Sequence, residues 1–187
     1  MIHSKKFTCI LDTNVIYPIT IRDLLFWFAY YELFTPKWSK HIFDEWKRVM
    51  ERQGIDESEI AKRINNASKA FPNALVENYE PLIPTLKLKD EDDRHVLAAA
   101  IKTNANLIVT NNIKDFPKDY LASFGLSAKT ADDFITDTID LDNETAKKAF
   151  FKLVSYKRNP PKDEYEVLDD FRRVGVSQAA NYLHALI

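Results

Sequence analysis

The chain has 187 residues, 45% hydrophobic and 29% charged, with 3 glycines, one cysteine and a formal net charge of −2. That composition predicts a soluble globular protein of one domain plus a small appendage, and it excludes collagen-like and low-complexity architectures. Cys9 alone supports neither an intramolecular disulfide nor a cysteine-rich zinc site, as expected in a reducing cytoplasm.

In chain order, Met1 to Phe7 carries His3, Lys5 and Lys6 with no long apolar run behind them, so it does not read as a signal peptide. Phe7 to Leu11 (FTCIL) predicts a buried strand with Asp12 at its C-terminal end. Pro18 opens a helix through about Tyr30. The longest apolar block, Leu24 to Tyr31, falls short of the roughly 18 residues that a membrane span needs. Leu33 and Phe34 suggest a second short strand before Pro36. A helix follows over Ser39 to Arg52, with Ile42, Glu45, Trp46 and Val49 on one face and Gly54 as its stop. Glu57 to Ala70 reads as a helix and Leu82 to Leu88 as extended. Asp93 to Thr103 reads as a helix with Val96, Leu97, Ala100 and Ile101 inward. Leu107 to Thr110 reads as a strand ending in the turn Asn111, Asn112. This alternation predicts an α/β fold with a central parallel sheet. Beyond about Asp140 the pattern is helical: Glu144 to Tyr156, a break at Asn159-Pro160-Pro161, then Glu164 to Val174 and Ser177 to Ile187 around Gly175. The predicted division is 1–139 and a helical subdomain 140–187.

The chemistry lies in acids placed where strands run out. Ligands of parallel α/β sheets collect outside the carboxyl ends of the strands. Asp12 stands at one such end, although it could merely cap the next turn together with Thr13 and Asn14. Glu45 is the odd member of an apolar stripe, so it either pairs with a cation or points into a polar site; Asp44 reads as its solvated neighbour. In Asp90-Glu91-Asp92-Asp93, acids suit a helix N-terminus. Asp90 is read as the N-cap and Asp93, three and four residues before Val96 and Leu97, as a ligand, with Asp92 in reserve. Asp115 follows the second strand, in a turn whose Asn112 could serve as a neutral ligand or orient a water.

Packed carboxylates repel one another unless a cation is present, and hard oxygen ligands favour Mg²⁺ or Mn²⁺. A metal so held can activate water and stabilise charge on a phosphodiester. The catalytic candidates are Asp12, Glu45, Asp93 and Asp115; the metal candidates are Asp12, Asp93, Asp115 and Asp92. His95 reads as structural or as a residue that supports the ligands from behind. Asn14, Asn112, Arg94 and Lys114 are candidates for substrate contact, with Arg22 and Lys40 as further cations and Trp38 and Tyr17 as stacking aromatics. A net charge of −2 is unusual for a phosphate binder, but an acidic metal centre lowers net charge while its cation reverses the local sign.

Leu11-Asp12-Thr13-Asn14-Val15, Glu45, the run Asp90 to Ala100 and the run Ile108 to Pro117, in that order, resemble the PIN-domain family over residues 7 to 135. The resemblance is closest to VapC-type toxins of bacterial toxin–antitoxin systems. It implies a Rossmann-like α/β/α sandwich and a Mg²⁺- or Mn²⁺-dependent endoribonuclease acting on tRNA or other structured RNA. It also implies a cognate antitoxin, a homodimer and no membrane. The family's acids map onto Asp12, Glu45, Asp93 and Asp115, with Asp92 possible in place of Asp93. Residues 54 to 88 and the tail from about 140 depart from the shortest such proteins; the tail resembles the C-terminal domain of one VapC-type subgroup. A dehalogenase-type phosphatase would want an aspartate at Asn14, and a receiver domain would want paired acids before its phosphorylated aspartate. The remaining rival is a catalytically inactive PIN fold that binds RNA or acts as a scaffold.

Overall fold

The computed structural model describes residues 7–187; the Met1 to Lys6 segment, with His3, Lys5 and Lys6, lies outside them. The elements in order are β1 (Thr8–Leu11), α1 (Thr13–Ile16), α2 (Ile19–Tyr30), β2 (Thr35–Ser39), α3 (Lys40–Arg52), α4 (Glu57–Ala70) and β3 (Leu75–Val76). A 3₁₀ turn (Glu80–Thr85), α5 (Arg94–Lys102), β4 (Leu107–Val109), a second 3₁₀ turn (Ile113–Asp115), α6 (Lys118–Ala122) and β5 (Ser127–Lys129) follow. The chain ends in α7 (Ala131–Leu141), α8 (Asn143–Tyr156), α9 (Glu164–Arg173) and α10 (Ser177–Leu186).

These elements form two compact units. One holds Phe7–Tyr17 and Thr35–Lys129; the other holds Pro18–Phe34 and Thr130–Ile187. The 1–139 and 140–187 division drawn from the sequence runs through α7, and the segment carrying α2 groups with the C-terminal helices.

The first unit is built on a five-stranded sheet in the order β3-β2-β1-β4-β5, all pairs parallel. As expected of a parallel sheet, its central strands are largely apolar: Cys9, Ile10 and Leu11 of β1 and Ile108 and Val109 of β4 are fully buried. The second strand lies later than the sequence suggested, and it contains Pro36. Thr35 donates its N–H to Phe7 on the β1 side and Trp38 donates to Ala74 on the β3 side. By alternation the missing N–H of Pro36 faces the β3 side, but pairing with β3 begins only at Trp38. The proline therefore removes no ladder bond. The predicted extended run at Leu82 to Leu88 is instead a 3₁₀ turn up to Thr85.

α3 starts where Ser39 Oγ accepts from the N–H of Ile42 (3.2 Å) and buries Ile42, Phe43, Trp46 and Met50. It stops before Gly54, whose φ of +72° favours glycine. In α5, the run His95 to Ala100 is entirely buried. Small alanines at 98, 99 and 100 let this helix lie close on the sheet.

The second unit is helical. Phe34 meets Phe134 edge to face (4.9 Å between centroids), and Phe150 packs against Phe171 (6.2 Å) over Leu153, Leu168, Ala180 and Leu183. Asp163 and Glu166 form a reciprocal capping box at the start of α9 (2.9 Å each way). Asp132 on α7 accepts from the N–H groups of Gln178 and Ala179 (3.1 and 2.9 Å), closing the start of α10. Among the described residues no helix is long and apolar enough to cross a membrane.

Candidate metal centre

The strand order reverses at β1: β2 and β3 lie on one side of it and β4 and β5 on the other. Such a switch point leaves a crevice outside the carboxyl ends of the two strands that flank it. Asp12 follows β1 directly, and its N–H donates to Val109 of β4 (3.1 Å), so it stands in that crevice.

Asp12 is 4% exposed. Its Oδ1 accepts from the Thr13 N–H (2.6 Å); its Oδ2 accepts from Asn14 Nδ2 (2.6 Å) and from the Thr110 hydroxyl (2.7 Å). Thr110, at the end of β4, is fully buried and joins the two loops. Besides donating to Asp12, its oxygen accepts from Asn14 Nδ2 (2.9 Å) and from the Asn112 N–H (3.0 Å). Asn14 Oδ1 accepts from the Asn111 N–H (2.8 Å). Both ends of the Asn14 amide are thus engaged by the protein itself. Burial pushes the Asp12 carboxyl above its ordinary range. The Glu45 charge adds to that push, while the bonds from Thr110 and Thr13 and the charge of His95 oppose it.

Glu45 projects from α3 toward the same crevice. Its Oε2 accepts from the Thr13 hydroxyl and its Oε1 from His95 Nε2 (2.9 Å). Burial alone would raise this carboxyl, but the bonds from His95 and Thr13 outweigh it and hold the group below the usual carboxylate range. His95 in turn stacks on His41 (5.1 Å, 21°), whose Nδ1 is hydrogen-bonded to the Tyr79 hydroxyl. The sequence placed Glu45 between core and site; its actual partner is a buried histidine two helices along. Asp44 points outward and pairs with Lys40 (2.7 Å).

Asp90, Asp93 and Asp115 bring carboxylate oxygens within 4.8 Å of one another. Asp93 is pushed up to about 7, by burial first and then by the charges of Asp12, Asp90 and Asp115, with His95 opposing. Asn112 Nδ2 sits 3.5 Å from Asp93 Oδ2. The group fits a hard divalent cation: its donors are all oxygen, and the crowding of negative charge around Asp93, which favours its protonated form, is what a cation would relieve.

Several expectations need correction. Asp93, not Asp90, is the residue that begins α5, and it makes no side-chain cap. Asp90 Oδ1 instead accepts from the Asp92 N–H (3.0 Å), a local turn that turns the acidic run back toward Asp93 and Asp115. Asp92 is exposed and outside the three-carboxylate group. Trp38 is 1% exposed and stacks on Phe43, so it has no face for a base. Arg22 is buried in the helical unit beside Asp23 (3.3 Å). Arg94 reaches Glu91 (2.8 Å), and Lys114 is exposed on the turn that carries Asp115. Sequence reasoning missed Thr110 and the tie from His95 to Glu45. The spacing of Asp90 and Asp93, three apart, could have flagged Asp90 as more than a cap.

Residues 8–114 match the family described as PIN domain. The chain belongs to the PIN-domain family. Its helical unit also has a match: residues 131–185 correspond to the family described as VapC50 C-terminal domain, covering α7 to α10. A curated relative from Mycobacterium tuberculosis, named "Putative ribonuclease VapC50", is 37% identical over 109 residues. That stretch is 56% of this chain and 64% of the relative, so the chain spans less than two thirds of the relative's length. No solved structure matches. The PIN match includes Asp12, Glu45, Asp90 and Asp93 and ends one residue before Asp115.

Proposed function

We propose that this PIN-domain protein is a metal-dependent endoribonuclease and the toxin of a toxin–antitoxin pair. The observation that carries the reading is the convergence of Asp90, Asp93 and Asp115 beside buried Asp12 at the carboxyl ends of β1 and β4. A Mg²⁺ or Mn²⁺ ion held by these carboxylates would supply Lewis acidity and neutralise phosphate charge. Asp12 completes the ring of negative charge, fixed in place by Thr13, Asn14 and Thr110. Glu45, kept ionised by His95 and Thr13, is suited to orient the attacking water and accept its proton. On this reading Asn112 and Lys114, on the turn after β4 that also carries Asp115, contact the RNA backbone.

The relative's name supports ribonuclease chemistry, and the match to a VapC50 C-terminal domain supports the toxin assignment. On that reading the partners are structured RNA such as tRNA, a cognate antitoxin protein and a second copy of the chain, in the cytoplasm. The test is incubation of the purified chain, freed of any co-purified protein, with total tRNA and mRNA in Mg²⁺, in Mn²⁺ and in EDTA, beside Asp12→Asn. Cleavage that requires metal and is lost in the variant establishes the nuclease. Absence of cleavage by folded protein refutes it and leaves a non-catalytic RNA-binding module.

A further inference from the structure

The helical unit carries a second surface whose composition fits nucleic acid. α8 is amphipathic: Ala146, Ala149, Phe150 and Leu153 are buried, which turns 144, 147, 148, 151, 152 and 155 outward at helical spacing. Tyr31, at the end of α2, joins that ridge to line a shallow groove of about 450 Å³. Along the groove the ridge holds Lys147, Lys148 and Lys152 beside Glu144, and Asp142 at the start of the helix lies within electrostatic reach of Lys148. Lys147 reaches the Leu186 carbonyl. Among the described residues no carboxylate lies within ion-pair distance of Lys148, Lys152 or Arg158.

Aromatic rings border these cations. Phe151 is 39% exposed, Tyr156 59% and Tyr30 64%, an unusual exposure for large rings in one neighbourhood. Trp27 packs against two of them, 5.4 Å from Tyr30 and 5.3 Å from Tyr156 between centroids. Lys152 Nζ lies 5.3 Å from the Tyr156 ring centroid and the Arg158 guanidinium 6.0 Å. Tyr30 and Tyr156 are therefore held in position rather than left loose, and Phe151 packs against Phe150 (5.8 Å between centroids).

We propose that this face of the helical unit binds single-stranded RNA, with Tyr156 and Phe151 stacking on bases and Lys148, Lys152 and Arg158 holding phosphates. The choice of RNA rests on the nuclease reading. The choice of nucleic acid rests on the surface: a basic, aromatic face on a chain whose net charge is −2. Stacking needs a flat apolar ring beside a cation, and every base offers such a ring a partner. Phosphate needs unpaired Lys or Arg.

The experiment measures binding of a fluorescein-labelled 12-nucleotide single-stranded RNA to the full chain in EDTA, where metal-dependent cleavage is off, over a range of salt. Lys148→Glu with Lys152→Glu is expected to weaken binding at least tenfold. Lys148→Gln with Lys152→Gln should flatten the slope of log affinity against log salt by roughly 1.4, two phosphate contacts' worth for a single strand. Tyr156→Ala should weaken binding roughly fivefold or more, while Tyr156→Phe retains it. Each variant's circular dichroism and Tm confirm that it is folded. Unchanged affinity and slope in the folded lysine variants overturn the proposal. So does a concentration-dependent dimer in the parent chain that these substitutions abolish, which would assign the face to a second copy. The two readings fail separately. If the chain cleaves nothing yet these variants lose binding, the nuclease falls and this surface stands. If it cleaves RNA and the variants bind normally, only this surface falls.

Discussion

His95 Nε2 donates to Glu45 Oε1 at 2.9 Å, joining the first turn of α5 to the middle of α3 across fifty residues of chain. This bond, with the Thr13 hydroxyl on the other oxygen, is why a half-buried carboxylate stays ionised instead of taking up a proton. A group whose folded value is depressed favours the folded state above its ordinary range and loses that contribution as pH falls through its folded value.

Replacing His95 with alanine should therefore move Glu45 upward. The acid limb of the cleavage profile (kcat/KM between pH 4 and 7) is expected to shift to higher pH in His95→Ala. Thr13→Val should shift it in the same direction by less. Superimposable profiles would show that His95 does not set the charge of Glu45.

Asp93 behaves in the opposite sense. Its folded value, about 7, lies above its unfolded one, so the folded state holds a proton that the unfolded chain has released. Metal-free protein should lose stability progressively as pH rises through that window, with the loss complete once pH passes the folded value. Tm in EDTA should fall between pH 5 and pH 8, and more steeply than in Asp93→Asn. Equal slopes for the two proteins would deny the crowding of charge around Asp93.

The same crowding predicts strong linkage to metal. Adding Mg²⁺ or Mn²⁺ at pH 8 should raise Tm, by about 2.7 kcal/mol of stability at a hundredfold excess over Kd. Asp93→Asn and Asp115→Asn should abolish most of that rise, and Asp92→Asn, an exposed residue outside the group, should preserve it. Equal loss in all three variants would mean that the acidic run acts as diffuse charge rather than as a site.

Thr110 is the joint between the two loops, donating to Asp12 and accepting from Asn14 and Asn112. Thr110→Val keeps the volume but leaves buried polar groups unpaired, at about 1–3 kcal/mol. Cleavage should fall with it, because Asp12 and the turn bearing Asp115 lose their common anchor. Thr110→Ser should retain most of both. The measurement is chemical denaturation alongside kcat; a fully stable, fully active valine variant would contradict this role.

The acids were legible in the sequence because each sits at a junction that local pattern marks: Asp12 after FTCIL, Asp115 after LIVT, the acidic run before an apolar helix. The α/β fold was legible for the same reason, since buried parallel strands and amphipathic helices have different periods. The 3₁₀ turn at Glu80–Thr85 and the short strands β3 and β5 were not. At two or three residues a strand has no period to read, and it exists only through its neighbours in the sheet. Pro36 misled because its missing N–H costs nothing only where β3 has not yet begun.

By itself, then, the sequence determined the class of fold, the positions of Asp12, Asp93 and Asp115 at element ends and of Glu45 on the apolar stripe of a helix, and the oxygen-only chemistry those residues offer. Tertiary structure alone decided which acids meet. It brought Asp90 into the group and left Asp92 outside, tied Glu45 to His95, and made Thr110 the link between the strands. The physical reason is that charge repulsion and hydrogen bonding act through space over a few ångströms. A sequence records the residue types that can take part, but their separations are fixed only when β1 and β4 lie side by side.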